Sequence, residues 1–232
     1  SQGINCQYIT VDSGFEHSAH CTLISDPAGN QITGFYSGAA ASTQRLLPSQ
    51  IDEIDTITLA MLAPEDAEIM LRQARNLSEL TVPIIFDPGQ GIEGFSQQDI
   101  RELLQLSRLV MVNSHEYDIL LTNAGLSHPE MLEIMGLVIV TRGANGVDLY
   151  QKAESLHVDA VTTREIIDPT GCGDAFRAGF ICGLSESFGI RESAQMGCIM
   201  AAESLGSPDP QRYTMNRQAL LLRRQQIYGD IA

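Results

Sequence analysis

The chain has 232 residues, enough to bury roughly 70% of its unfolded surface around one large core. Its 29 acidic and 14 basic side chains leave a formal charge of −15, which argues against nucleic acid and anionic membrane as partners. Five cysteines without paired spacing, 44% apolar residues and no apolar run of membrane-span length read as a soluble, cytoplasmic protein.

In chain order, residues 19–24 and 31–36 read as two arms of a hairpin around the turn Asp26-Pro27-Ala28-Gly29-Asn30. His17, His20 and Cys21 have a metal-like spacing. On a strand, however, His17 and Cys21 share one face and His20 takes the other, so the three do not converge. From about residue 54 short apolar runs recur at 57–62, 83–86, 109–112 and 137–140, each followed by a helix-like stretch. Runs that are apolar on both faces fit buried parallel strands, and their alternation with helices predicts βαβ units. Asn145-Gly146 marks a turn into Val147-Asp148-Leu149-Tyr150, and helices are expected near 174–187, 191–205 and 214–228. The expected class is α/β, a doubly wound and mostly parallel sheet with a small β-lid. Residues 1–40 would form the partial lid and a connecting segment, and 41–232 the α/β domain.

The most informative stretch is Asp168-Pro169-Thr170-Gly171-Cys172-Gly173-Asp174-Ala175-Phe176. Two glycines flank one residue, an acid follows, and a helix runs on. The first turn of a helix leaves N–H groups unpaired and carries about half a positive charge, so it forms an anion site, here with the Asp174 carboxylate beside it. Three further segments, Asp87-Pro88-Gly89, Asn113 and Thr141-Arg142-Gly143, follow predicted strand ends, where open α/β sheets bind ligands. Each has a structural reading as well. Glu116 could be an acid favouring a helix start, Asp87 a brace for its turn, and Arg142 and Arg177 either phosphate-side cations or solvated side chains. Cys172 sits where a helix terminus can lower a thiol pKa, but with Asp174 intact it reads as structural, contributing its N–H alone.

With these residues in place the chain resembles the ribokinase-like (PfkB) carbohydrate and nucleoside kinase family. Residues 168–176 match the family's C-terminal signature, Asn113-Ser114-His115-Glu116 its Asn-x-x-Glu motif, and Thr141-Arg142-Gly143-Ala144-Asn145-Gly146 its nucleotide-side turn. Phe86-Asp87-Pro88-Gly89-Gln90 is most similar to the bacterial adenosine-kinase-like branch. The resemblance implies transfer of the γ-phosphate of ATP to a sugar or nucleoside hydroxyl, adenosine first and ribose or fructose second. It implies Asp174 as general base and the amides of Gly171, Cys172 and Gly173 as anion hole. Asn113, Thr141, Gly143, Gly146 and Thr170 would bind nucleotide, and Glu116 would hold Mg²⁺ through water. The family's opening strand and its Gly-Gly motif have no counterpart after Ser1, so a fragment is expected, with a catalytically weak nucleotide-binding remnant as the alternative. An open lid edge would favour a homodimer.

Overall fold

The computed structural model describes residues 5–25, 31–163, 165–209 and 214–229, which divide into two compact units, 1–108 and 109–232. In the first unit, β1 (His20–Ser25) and β2 (Gln31–Tyr36) form the expected antiparallel hairpin, with His20 opposite Tyr36 and Ile24 opposite Ile32. Its turn at 26–30 lies outside the described residues. The hairpin keeps Leu23, Ile24, Ile32, Phe35 and Tyr36 exposed. The same unit holds a parallel pair, β3 (Ala60–Leu62) and β4 (Ile84–Phe86), with Met61 opposite Ile85. β4 is buried along its whole length, as an apolar parallel strand should be.

Helix α1 (Ala67–Glu79) starts at Asp66, whose side chain accepts from Glu68 N–H at 2.9 Å. Its buried Met70, Ala74 and Leu77 recur at helical spacing. Helix α2 (Gln97–Leu106) begins with a capping box in which Ser96 and Asp99 each accept from the other's amide.

In the second unit β5 (Leu109–Asn113) runs parallel to β6 (Leu137–Thr141), joined through α3 (Ser114–Ala124) and α4 (His128–Ile134). The register puts Asn113 beside Thr141 at the carboxyl ends. β7 (Val147–Gln151) and β8 (Glu154–Val158) then continue antiparallel. β8 was not expected: its burial is low, so its sequence lacks the apolar run that marks the other strands. Three helices close the unit: α5 (Cys172–Ser185), α6 (Ile190–Leu205) and α7 (Arg217–Tyr228). Met196, Ile199 and Leu220 make the core between α6 and α7. The α/β class, with parallel strands and intervening helices, is as the sequence predicts.

Candidate active site

The turn entering α5 is a backbone construction. Gly171, the residue capping the helix, has φ 77° and ψ 1°, a left-handed conformation in which any side chain would be strained. The first helical bond runs from Ala175 N–H to Gly171 O at 2.9 Å, so the amides of Cys172, Gly173 and Asp174 stand ahead of the ladder. Among them, Cys172 N–H is turned back onto Pro169 O at 3.3 Å. Asp168 braces the entry by accepting from Thr170 N–H at 2.8 Å, and the bonds from Thr170 hold its carboxyl below the usual range. Ile167 N–H donates to Leu205 O at 2.8 Å, tying the approach to the end of α6.

Asp174 is exposed in the first turn of α5. Nη1 of Arg177 lies 2.8 Å from where a Cβ on Gly173 would stand, so its guanidinium lies against the turn in space a side chain at 173 would share. Burial pushes the Cys172 thiol pKa up, against the lowering that a helix terminus alone would give. The helix beneath is held by a close seam on α6. A Cβ at position 183 would stand 2.6 Å from Ser193 Cα, and one at 179 would stand 2.6 Å from Met196 O.

A second group forms where β5 and β6 end. Asn113 and Glu116 cap α3 reciprocally: Glu116 N–H donates to Asn113 Oδ1 at 2.9 Å, and Asn113 N–H to Glu116 Oε2 at 2.8 Å. The Asn-x-x-Glu spacing is therefore first of all a capping box, with the Glu116 side chain buried and Asn113 exposed. Ser114 Oγ donates to Thr141 O at 3.4 Å.

Arg142 is held by three groups: Asp148 accepts from its Nε, Tyr150 Oη from Nη2 at 3.1 Å, and Ser114 Oγ from Nη1 at 3.3 Å. Asp148 also accepts from Tyr150 Oη at 3.0 Å and meets His157 Nδ1 at 2.6 Å. Partial burial pushes the Asp148 pKa up, but the bonds from His157, Arg142 and Tyr150 outweigh it and leave the carboxyl below its usual value. Behind the knot, Tyr117 Oη and His128 Nδ1 are 2.6 Å apart, and burial pushes the Tyr117 pKa up to about 12.

The two glycines of the β6–β7 turn differ in kind. Both have positive φ, 57° at Gly143 and 85° at Gly146, but a Cβ at 146 would fall 2.1 Å from Val158 O, so that residue also answers to packing against the strand end. A Cβ at Gly143 would meet nothing within 4 Å.

The structure thus gathers the residues singled out from the sequence into two groups. One holds Asn113, Glu116, Thr141, Arg142 and Gly143; the other holds Asp168, Thr170, Gly171, Cys172, Gly173, Asp174 and Arg177. Asp148, Tyr150 and Ser114 escaped the sequence reading. Their one signal was that Asp148 and Tyr150 stand two apart on a strand and so share a face. Asp87 lies in the first unit, where it is buried.

That unit also carries its own cavity of about 930 Å³, lined by Phe35, Ser37, Thr43, Glu65, Asp66 and Gln90 among others. Among the described residues no cluster of three or more His, Cys, Asp or Glu could hold a metal by itself, and no helix is long and apolar enough to cross a membrane.

Against known proteins, the family model of pfkB family carbohydrate kinases matches residues 1–216, and the chain belongs to that family. The nucleoside kinases of Methanocaldococcus jannaschii and Methanothermobacter thermautotrophicus are 26% and 30% identical to it over 81% and 78% of its length. The chain spans 60% and 58% of those two relatives. The solved nucleoside kinase of Burkholderia thailandensis in complex with inosine superposes with a TM-score of 0.87 at 29% identity, covering 92% of this chain and 69% of that one. The fold is accordingly the ribokinase-like α/β fold.

Proposed function

We propose that this chain transfers the γ-phosphate of ATP to a hydroxyl of a nucleoside or sugar, with adenosine as the first acceptor and ribose or fructose as the second. The observation that carries the reading is the α5 turn, where an exposed carboxylate stands beside amides that lie ahead of the helical ladder. In this reading Asp174 takes the proton from the acceptor hydroxyl as its oxygen bonds to the γ-phosphorus and ADP leaves. The amides of Gly171, Cys172 and Gly173 offset the charge on the moving group, Cys172 least because its N–H is shared with Pro169 O. Asn113, Thr141, Gly143, Gly146 and Thr170 line the nucleotide side.

Magnesium keeps much of its water and is carried largely by phosphates, so one buried carboxylate, Glu116, suits it better than a protein cage. When bound, the ion would neutralise phosphate charge, with Glu116 reaching it through water. The cavity of the first unit has the size of a small-molecule pocket, and the Burkholderia relative is a nucleoside kinase bound to inosine. A remnant that binds nucleotide without turnover is disfavoured, because Asp174 and Glu116 are both in place.

The five free cysteines fit a cytoplasmic setting. The exposed Ile24 and Ile32 of the hairpin would supply the face of a homodimer between lids of residues 1–40, with 41–232 as the catalytic domain. The deciding experiment is Asp174→Asn with ATP, Mg²⁺ and a panel of nucleosides and sugars. Nucleotide binding should persist while turnover falls at least about 10²-fold. Near-wild-type turnover in that variant would remove Asp174 as the base.

A further inference from the structure

We propose that Arg142 binds the polyphosphate of the nucleotide, and that Asp148 and Tyr150 are positioning residues that aim it. The proposal rests on the kinase reading above. A guanidinium carries five N–H donors. Among the described residues Asp148 takes the one on Nε, Tyr150 Oη takes one on Nη2, and Ser114 Oγ takes one on Nη1. One N–H is left on each terminal nitrogen, and a guanidinium fork of two such donors matches two oxygens of one phosphate. The side chain keeps 35% of its surface open to solvent.

Its place follows from two elements. Arg142 comes just after β6, at the carboxyl end where open α/β sheets take their ligands. The contact with Ser114, the first residue of α3, carries the guanidinium to the positive end of that helix. A lone cation is disfavoured there, and the Asp148 carboxylate offsets it. A brace for the β6–β7 hairpin would need the Asp148 pair alone. The bond to Ser114 instead draws the cation toward α3, next to the Asn113 cap and open Gly143. In a chain of charge −15, a pinned cation matters more to an approaching polyphosphate than a mobile one.

The test is calorimetric titration of the 232-residue chain with ATP and with AMP, each with Mg²⁺, and comparison of the two affinities within each variant. Global damage then cancels from the ratio. Wild type should prefer ATP. Arg142→Gln should narrow that preference by about tenfold, the value of one charged hydrogen-bonding group. Asp148→Asn should narrow it less, and Arg142→Lys should not restore it, because an ammonium has no fork. An unchanged ratio in Arg142→Gln, with only the melting temperature lowered, would reduce Arg142 to a hairpin brace and overturn the proposal. A wild type that binds neither nucleotide, or both equally, would instead defeat the kinase reading and this proposal with it.

Discussion

At the start of α5 the chain builds its site from backbone: a left-handed Gly171, amides ahead of the ladder, and a helix seated by missing side chains at 179 and 183. At the β6–β7 corner it builds from side chains, with Arg142, Asp148, Tyr150 and Ser114 joined in one hydrogen-bonded knot. A backbone site should be indifferent to side-chain chemistry and intolerant of an added Cβ. A side-chain site should tolerate backbone-neutral changes and respond to charge and pH.

The sharpest way to break that contrast is Gly171→Ala. Alanine in the left-handed region costs about 1–2 kcal/mol, and relief of that strain would turn the amides. Loss of such donors typically lowers turnover about 10²–10³-fold. We expect a drop of that size, read as kcat on the best acceptor, with far smaller change for any single substitution at the corner. Full activity in Gly171→Ala would show that the turn is not held by its glycine.

Stability gives the next largest effect. Gly183→Ala should gain about 1 kcal/mol of helix propensity. It would also press a methyl group to 2.6 Å from Ser193 Cα, which belongs to the backbone of α6 and cannot swing aside. Overpacking of this kind costs about 1–3 kcal/mol, so destabilisation should win, measured as a lower urea midpoint with an unchanged slope. A raised midpoint would mean that the α5–α6 seam is looser than its geometry.

The same contrast explains what could be read in advance. Glycines, strand-end positions and the acid at 174 are local signals, written in consecutive residues, and they place both halves of the candidate site. The apolar runs likewise give β4, β5 and β6 to within a residue or two. The Arg142 knot unites residues 114, 142, 148, 150 and 157, whose meeting depends on the β6–β7 and β7–β8 registers. Asp148 stands opposite Val140 in one register and His157 in the other, and neither pairing is visible along the chain. The exposed β8 and the cavity of the first unit escaped for the same reason, being products of tertiary placement.

The corner, unlike the turn, should titrate. Asp148 is held below its unfolded pKa, so its contribution to stability is fully present above the ordinary carboxylate range and is lost as pH falls through the folded value. Asp148→Asn lacks that contribution at every pH. The stability gap between wild type and Asp148→Asn should therefore be wide at pH 6 and close below about pH 4, by urea unfolding at each pH. A gap that is constant with pH would show that the carboxylate charge does not matter to the knot.

The smallest expected effect lies inside the turn, at Cys172. Its position at a helix start invites a reactive thiolate, but burial raises the pKa instead, and the proposed role of the residue uses its backbone alone. Cys172→Ala keeps that backbone and should leave turnover near wild type. Alkylation at pH 7.5, followed peptide by peptide, should label the exposed Cys6 and Cys21 first and Cys172 later. Cys198, buried and pushed up to about 12, should label last. If Cys172 instead labels first and its loss abolishes turnover, a thiolate works at the turn. The division between a backbone-built and a side-chain-built half of the site would then fail where it is most exposed to chemistry.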